Sequence, residues 1–114
     1  MDTCIFCRII ARSLPGKIVF EDDEILAFED KHPQAPIHIL IIPRKHMTSL
    51  NDASAEDVLL LGRLFVVATQ LARERGLDSQ GYRTVINTGS RAGQTVYHLH
   101  VHLLGGRLFR WPPG

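Results

Sequence analysis

Short runs of apolar side chains separated by turn residues dominate the first third of the chain. Residues 4–12 space their apolar groups as a short helix does, and Pro15-Gly16 ends that segment. The apolar runs that follow are too short for helices and are bounded by turn residues. They predict strands at residues 17–21, 24–29 and 37–42.

A long amphipathic helix is predicted over about residues 55–75. Ser54 precedes Asp57 by three positions, as in a capping box, and Gly76 supplies the usual C-terminal stop. The predicted apolar face comprises Val58, Leu61, Phe65, Ala68 and Ala72.

Two further strands are predicted near the C-terminus, at residues 82–88 and 95–104, and Gly105-Gly106 ends the second. Strands therefore dominate around one long helix. The pattern predicts an α+β fold, an antiparallel sheet of about five strands packed against the long helix, with a short N-terminal helix.

Three histidines occupy alternating positions in the last predicted strand: His98, His100 and His102. Because strand side chains alternate between faces, these rings share one face and lie roughly 6.5–7 Å apart, while aliphatic residues occupy the other. Imidazoles near pH 7 act as neutral nucleophiles, proton carriers or metal ligands. The alternatives are that the histidines are solvated or core-satisfied structural residues, or that they form a surface metal site.

Composition limits the functional classes. The chain has 114 residues, 45% of them hydrophobic, and a net charge of +1, which predicts a single domain over residues 1–114. No basic patch predicts nucleic-acid binding, and no segment resembles a membrane span or a signal peptide. Without a sign of export, we expect a cytoplasmic protein whose two cysteines form no disulfide.

A loop rich in glycine and neutral donors, residues 87–95, runs directly into the histidine strand. Glycines let backbone N–H groups turn toward an anion, so a phosphate held there would lie against the histidines. A neutral imidazole attacks phosphorus directly, and a second histidine can donate a proton to the leaving group. His38, on the third predicted strand, is a proton partner if that strand is a neighbour; otherwise it is a structural residue at a strand end.

The segment His98 to Leu104 matches the signature of the histidine-triad superfamily, His-φ-His-φ-His-φ-φ, where φ is apolar. Further matching segments are Asp30 to His38, Gly93 to Tyr97, Gly105-Gly106 and the terminal Trp-Pro-Pro-Gly. The resemblance covers essentially the whole chain. It is strongest to the nucleotide-binding branch that acts on nucleoside phosphoramidates.

The resemblance implies a role for each histidine of the motif. His100 corresponds to the nucleophile that forms a nucleotidyl-histidine intermediate. His98 and His102 correspond to flanking histidines that orient it and contact phosphate oxygens. His38 corresponds to a fourth histidine that relays a proton to the leaving amine.

The resemblance also implies a nucleotide site. Asp30 would bind both ribose hydroxyls, with Lys31 nearby, and apolar residues would form the walls around the purine: Phe6, Ile9 and Phe28. Phosphate contacts would come from the loop residues Asn87, Gly93, Gln94 and Thr95. Two departures affect substrate preference: Lys31 replaces an aliphatic residue, and Arg91-Ala92 replaces an acidic residue and a glycine, which requires a negative φ at Ala92.

The predicted function is hydrolysis of purine nucleoside 5′-phosphoramidates, which releases an amine and a nucleoside monophosphate such as AMP or GMP, with no cofactor required for catalysis. A second enzymatic hypothesis is a dinucleoside polyphosphate hydrolase or nucleotidyl transferase that uses the same His100 intermediate. Two hypotheses without catalysis remain: a nucleotide-binding regulatory module and a purely structural zinc protein.

The pair Cys4-x-x-Cys7 permits a structural zinc site. Some members of the superfamily hold zinc with such a pair and two histidines, which correspond here to His46 and His98. Alternatively, the cysteines pack as small apolar groups inside a helical turn.

A homodimer is the remaining prediction. Apolar residues surround much of the long helix, more than one core-facing stripe needs, and a small sheet leaves edge strands to cover. The resemblance implies pairing through this helix and a sheet edge, with Trp111 reaching toward the partner's active site.

Overall fold

The computed structural model describes residues 3–114. A short helix α1 (Ile5–Ile10) precedes a strand hairpin, β1 (Ile18–Glu21) and β2 (Ile25–Glu29). Strand β3 (Ile37–Pro43) leads to the long helix α2 (Val58–Glu74), and the chain ends with β4 (Tyr82–Val85), β5 (Val101–Gly105) and an extended tail.

The five strands form one antiparallel sheet in the order β1-β2-β3-β5-β4. Strand β5 lies between β3 and β4, so the last strand of the sequence is an interior strand of the sheet. This topology and the two helices confirm the predicted α+β fold.

The sheet buries both faces, and each face has its own cluster of apolar side chains. Helix α2 covers one face, over residues that include Ile39, Ile41, Val101 and Leu103. Helix α1 covers part of the other face, where Phe6 and Ile9 pack against Leu26, Phe28, Leu40 and Ile42. Each fully buried Ile, Leu or Phe contributes about 1.5–3 kcal/mol of transfer free energy, so both helices are held mainly by packing.

The capping box at the start of the long helix is confirmed. Asp57 and Ser54 exchange the two hydrogen bonds of that motif, although residues 55–57 form a 3₁₀ turn and the α-helix begins at Val58. The buried face differs from the predicted one. It comprises Leu64, Val67, Ala68, Leu71 and Ala72, whereas Val58 and Phe65 are exposed.

Two predicted strands are longer than the structure allows. The fourth strand ends at Val85, and the histidine strand begins at Val101, so His98 and His100 lie before it. The register of β3 and β5 explains the late start, because continued pairing would place Leu99 opposite Pro43, which has no N–H. Leu99 N–H instead donates to the carbonyl of Met47 at 2.7 Å.

The alternation of faces survives this change. Leu99, Val101 and Leu103 belong to the cluster under α2, and the three histidines face the α1 side. None of the helices formed by residues 3–114 is long and apolar enough to cross a membrane.

Candidate active site

A cavity of about 770 Å³ opens on the sheet face that α1 covers. Its apolar wall includes all three residues predicted to surround the purine: Phe6, Ile9 and Phe28. Its polar side carries Asp30, Lys31 and Thr95, and His100 and His102 lie beside them. Residues that are distant in sequence therefore meet around one concave surface of nucleotide size.

His100 presents a neutral ring with one nitrogen toward this cavity. Its Nδ1 lies 2.7 Å from the backbone carbonyl oxygen of His98, which can only accept, so Nδ1 carries the proton and Nε2 the lone pair. The residue is buried, and this burial lowers the pKa of His100 from its ordinary value. The Phe6 ring packs edge-on against it at 5.1 Å, which limits its rotation.

His38 and His102 form a second pair, joined by a 2.9 Å contact between His38 Nε2 and His102 Nδ1. His38 is buried behind His102, which lines the cavity. Burial lowers the pKa of His38, and burial together with neighbouring His100 and His38 lowers the pKa of His102 to about 4. Both rings are therefore neutral at pH 7.

Asp30 stands at the rim of the cavity, immediately after β2. One carboxylate oxygen accepts from the backbone N–H of His32 at 2.8 Å, and the other lies 3.4 Å from His38 Nε2. The side chain remains about one-fifth exposed, so the carboxylate can accept further hydrogen bonds from a ligand.

Three predicted phosphate contacts do not line the cavity: Asn87, Gly93 and Gln94. The Gln94 side chain is buried and supports the loop, because its oxygen accepts from Gly89 N–H and its nitrogen donates to Thr48 O. Gly93 has a φ of +97°, a conformation that favours glycine. Ala92 lies in a 3₁₀ turn and is not among the residues with positive φ, as its side chain requires.

His98 belongs to a different cluster, on the far side of α1's first turn. Its Nε2 donates to Pro43 O at 2.8 Å, so the lone pair on Nδ1 faces Cys4, Cys7 and His46. The imidazole of His98 does not line the cavity. Its contact with the predicted nucleophile is made by its backbone carbonyl.

The Cys4, Cys7, His46 and His98 cluster fits a tetrahedral zinc ion. The two Nδ1 atoms are 3.2 Å apart, and three sulfur–nitrogen distances lie between 3.3 and 3.5 Å. Zn–N and Zn–S bonds of about 2.05 and 2.3 Å give tetrahedral edges of about 3.3–3.6 Å for such pairs. His98 also donates its other ring N–H to a carbonyl, as ligating histidines usually do.

Helix α1 contributes residues both to the cluster of Cys4, Cys7, His46 and His98 and to the wall of the cavity. Cys4 caps this helix by accepting from the backbone N–H of Cys7, and Phe6 lies between the two cysteines. Phe6 contacts the rings of Phe28, His98 and His100 at 5.2, 5.9 and 5.1 Å. Ligation of the cysteines would therefore also fix one wall of the cavity.

Sequence reasoning misses two parts of the site. The segment from Leu14 to Lys17 lines the cavity, although its Pro15-Gly16 pair predicts only the end of a helix. The backbone N–H of Gln34 donates to His38 Nδ1 at 3.0 Å. A pattern of side chains does not predict such a contact, because every residue except proline has a backbone N–H. The clustering of prolines at positions 33 and 36 is the one available sign of a shaped loop there.

Comparison with known proteins identifies the family to which the chain is similar. Residues 3–108 match the family described as scavenger mRNA decapping enzyme C-term binding. An uncharacterized HIT-like protein of Synechococcus elongatus is 56% identical over 110 residues, which is 96% of both chains.

Solved structures of HIT and histidine triad proteins are also similar to this chain. A HIT family hydrolase from Legionella pneumophila superposes with a TM-score of 0.96 at 51% identity, covering 98% of this chain and all of that one. A histidine triad nucleotide-binding protein from Candida albicans gives a TM-score of 0.81 at 33% identity, covering 89% and 73%. A zinc-bound histidine triad family protein from Mycobacterium smegmatis gives 0.80 at 34%, covering 92% and 76%. The chain therefore belongs to the histidine-triad (HIT) superfamily.

Proposed function

We propose that this protein hydrolyses the P–N bond of purine nucleoside 5′-phosphoramidates. The observation that carries the proposal is the state of His100, a neutral, buried imidazole whose lone pair on Nε2 is presented at the cavity. Similarity to proteins described as HIT family hydrolases supports a hydrolytic reaction, and similarity to a nucleotide-binding relative supports a nucleotide substrate.

The substrate would place its purine between the aromatic and aliphatic side chains of Phe6, Ile9 and Phe28. Its ribose hydroxyls would then meet the Asp30 carboxylate at the rim. This orientation brings the α-phosphorus toward His100 and its oxygens toward His102. A carboxylate is suited to the ribose because it accepts two hydrogen bonds at once.

The reaction would proceed in two displacements. His100 Nε2 attacks phosphorus, the P–N bond breaks with its electron pair on nitrogen, and the nitrogen takes a proton from water, leaving hydroxide. Hydroxide then attacks phosphorus, the bond to His100 breaks with its pair returning to Nε2, and the nucleoside monophosphate leaves. The proton stays on His100 Nδ1 and remains hydrogen-bonded to His98 O throughout, and this bond stabilises the positive charge on the phosphorylated ring.

The test is incubation with an adenosine 5′-phosphoramidate, following amine release and the intact mass of the protein after rapid acid-free quenching. We expect amine and AMP in equal amounts and a transient mass increase of one nucleotidyl group. A diadenosine polyphosphate serves as the comparison substrate. If the protein hydrolyses the polyphosphate and leaves the phosphoramidate unchanged, the proposed function is wrong and the protein is a polyphosphate hydrolase.

The pH dependence of kcat/KM follows from the lowered histidine pKa values. His100 must be neutral to attack, and burial lowers the pKa of His100 and, to about 4, that of His102. We therefore expect the acid limb of the profile to lie below pH 6.5, the ordinary value for histidine. An acid limb at or above 6.5 would contradict a buried neutral nucleophile.

We also propose that Cys4, Cys7, His46 and His98 hold one zinc ion whose role is structural. Zinc would fix α1 and leave the chemistry to the histidines of the cavity. We expect about one zinc per chain by elemental analysis. Free zinc at about 100 times its Kd would stabilise the folded protein by about 2.7 kcal/mol. Cys7→Ser should bind less zinc and lose this stabilisation, whereas Ser13→Ala, outside the cluster, should keep both; equal zinc response in the two variants would remove the proposal.

A homodimer is proposed from the exposed apolar side of α2. Val58, Leu59, Phe65 and Val66 lie at the surface, and Leu59 is 82% exposed. A second copy packed on this side would bury them, with β4 as a sheet edge beside it. Trp111, 84% exposed, would then reach toward the partner's cavity.

The dimer predicts a mass of about 26 kDa by light scattering at micromolar concentration, twice the chain mass of 12.8 kDa. Leu59→Glu should reduce the mass to that of a monomer, because a buried unpaired charge is costly. Ser79→Glu adds the same charge beyond the end of α2 and should leave the dimer intact. A wild-type monomer with full activity would contradict both the dimer and the role of Trp111.

A further inference from the structure

His38 has a hydrogen-bond environment that fixes where its proton resides. We propose, on the basis of the function proposed above, that His38 is a positioning residue that keeps its Nε2 proton and holds His102, rather than a group that relays a proton to the leaving amine. This differs from the relay role implied by the family resemblance. It rests on the contacts of both ring nitrogens.

One ring nitrogen of His38 faces a backbone N–H, which can only donate a hydrogen bond. The backbone N–H of Gln34 points at Nδ1 over 3.0 Å, so Nδ1 must be an acceptor and carries no proton. The other nitrogen faces acceptors, with His102 Nδ1 at 2.9 Å and the Asp30 carboxylate at 3.4 Å. The neutral tautomer with its proton on Nε2 satisfies every one of these partners.

A relay would require His38 to leave this tautomer. If it gained a proton on Nδ1, that proton would point at the Gln34 N–H, and a buried donor would lose its acceptor. If it gave up its Nε2 proton without gaining another, it would become an imidazolate beside the Asp30 carboxylate. Both states are unfavourable in a buried site, so the proton remains on Nε2 through the reaction.

The residue Gln34 is itself held in place by contacts of its backbone carbonyl and of its side chain. Its carbonyl accepts from Arg107 Nε at 2.9 Å, and the Gln34 side chain donates to His32 O at 3.0 Å. Gly106 packs so closely on this loop that a Cβ there would come within 2.9 Å of Pro36. The segment after β5 thus braces the loop that supplies the amide.

The consequence for His102 is a defined orientation. Since its Nδ1 accepts from His38, its own proton lies on Nε2, the nitrogen left for the cavity that it lines. His102 is then a neutral donor to a phosphate oxygen. The leaving amine takes its proton from water, as in the two displacements described above.

His98 has the same tautomer as His38, but its ring nitrogens have different partners. There the second ring nitrogen donates to Pro43 O, which leaves Nδ1 as a lone pair suited to a metal. Asp30, His38 and His102 also bring potential ligand atoms within 4.8 Å of one another. In this set the Gln34 N–H opposes metal binding by His38. To ligate a metal, His38 Nε2 would have to lose its proton, and Nδ1 could not take that proton because it accepts from Gln34.

The first test compares two variants of His38 in hydrolysis. The amide nitrogen of glutamine can replace Nε2 as a donor to His102 but cannot transfer protons, so His38→Gln should retain kcat within about tenfold of wild type. His38→Ala should lose about 10²-fold, because His102 is no longer oriented. If the two variants lose activity equally while circular dichroism shows both folded, the positioning role is wrong.

The second test does not depend on any substrate or on the stability of a His38 variant. The ¹⁵N chemical shifts of the wild-type His38 ring should show a protonated Nε2 and an unprotonated Nδ1 at pH 7. Gln34→Pro, which removes the donating N–H, should release this preference, and Gln34→Ala, which keeps it, should preserve it. A proton on Nδ1 in the wild type would overturn the proposal. Absence of phosphoramidate turnover would instead defeat the proposed function and leave this result standing.

Discussion

His100→Ala should reduce phosphoramidate hydrolysis by at least about 10³-fold while leaving nucleotide binding largely intact. The variant removes the group that forms the covalent intermediate, whereas binding relies on the apolar walls and on Asp30. Steady-state kinetics and calorimetric titration with AMP measure the two effects separately.

Chemical rescue provides the control for this variant. Truncation to alanine leaves space for a free imidazole in the cavity, and added imidazole should restore part of the turnover without a covalent adduct on the protein. Near-normal turnover of His100→Ala, or a persistent nucleotidyl adduct in it, would assign the nucleophile to another residue.

Asp30→Ala should have the second large effect, which is a rise in KM. Loss of a charge-assisted acceptor costs about 1.5–3 kcal/mol, which corresponds to roughly a 10- to 150-fold rise in KM. The ribose contact exists in both the ground state and the transition state, so kcat should change much less.

Two controls separate the ribose contact from loop support, because Asp30 also accepts from His32 N–H. Asp30→Asn keeps an oxygen for that backbone bond but has no carboxylate for the ribose, so it should show most of the rise in KM. A 2′-deoxy substrate should raise KM for the wild type but add little for Asp30→Ala. Equal losses on the deoxy substrate in both proteins would place the ribose elsewhere.

Local patterns along the chain were enough to predict the elements that depend on near neighbours. Alternation placed the three histidines on one face, and the Ser54–Asp57 capping box marked the beginning of the helical segment, because both depend on neighbours within a few positions. The overall α+β architecture followed from the order of these elements. The spacing of Cys4 and Cys7 permitted a shared metal ion without requiring one, and the structure brings their sulfur atoms close to His46 and His98.

Features that depend on strand register and on backbone groups arise only in the folded chain. The β5 strand starts late because Pro43 lies opposite Leu99, a pairing that exists only once β3 and β5 are aligned. Gln94 turned inward to support its loop instead of facing the cavity, since its partner, Thr48 O, is 46 positions away.

The same physical reason separates the three histidines of the motif. The proton lies on Nδ1 of His100 but on Nε2 of His98 and His102, because the partners of these rings are the carbonyls of His98 and Pro43 and the ring of His38. His38 in turn takes its tautomer from the Gln34 amide. Such donors and acceptors belong to the backbone or to distant segments, so a sequence pattern specifies which residues can carry the chemistry, and only the folded chain specifies where each proton lies.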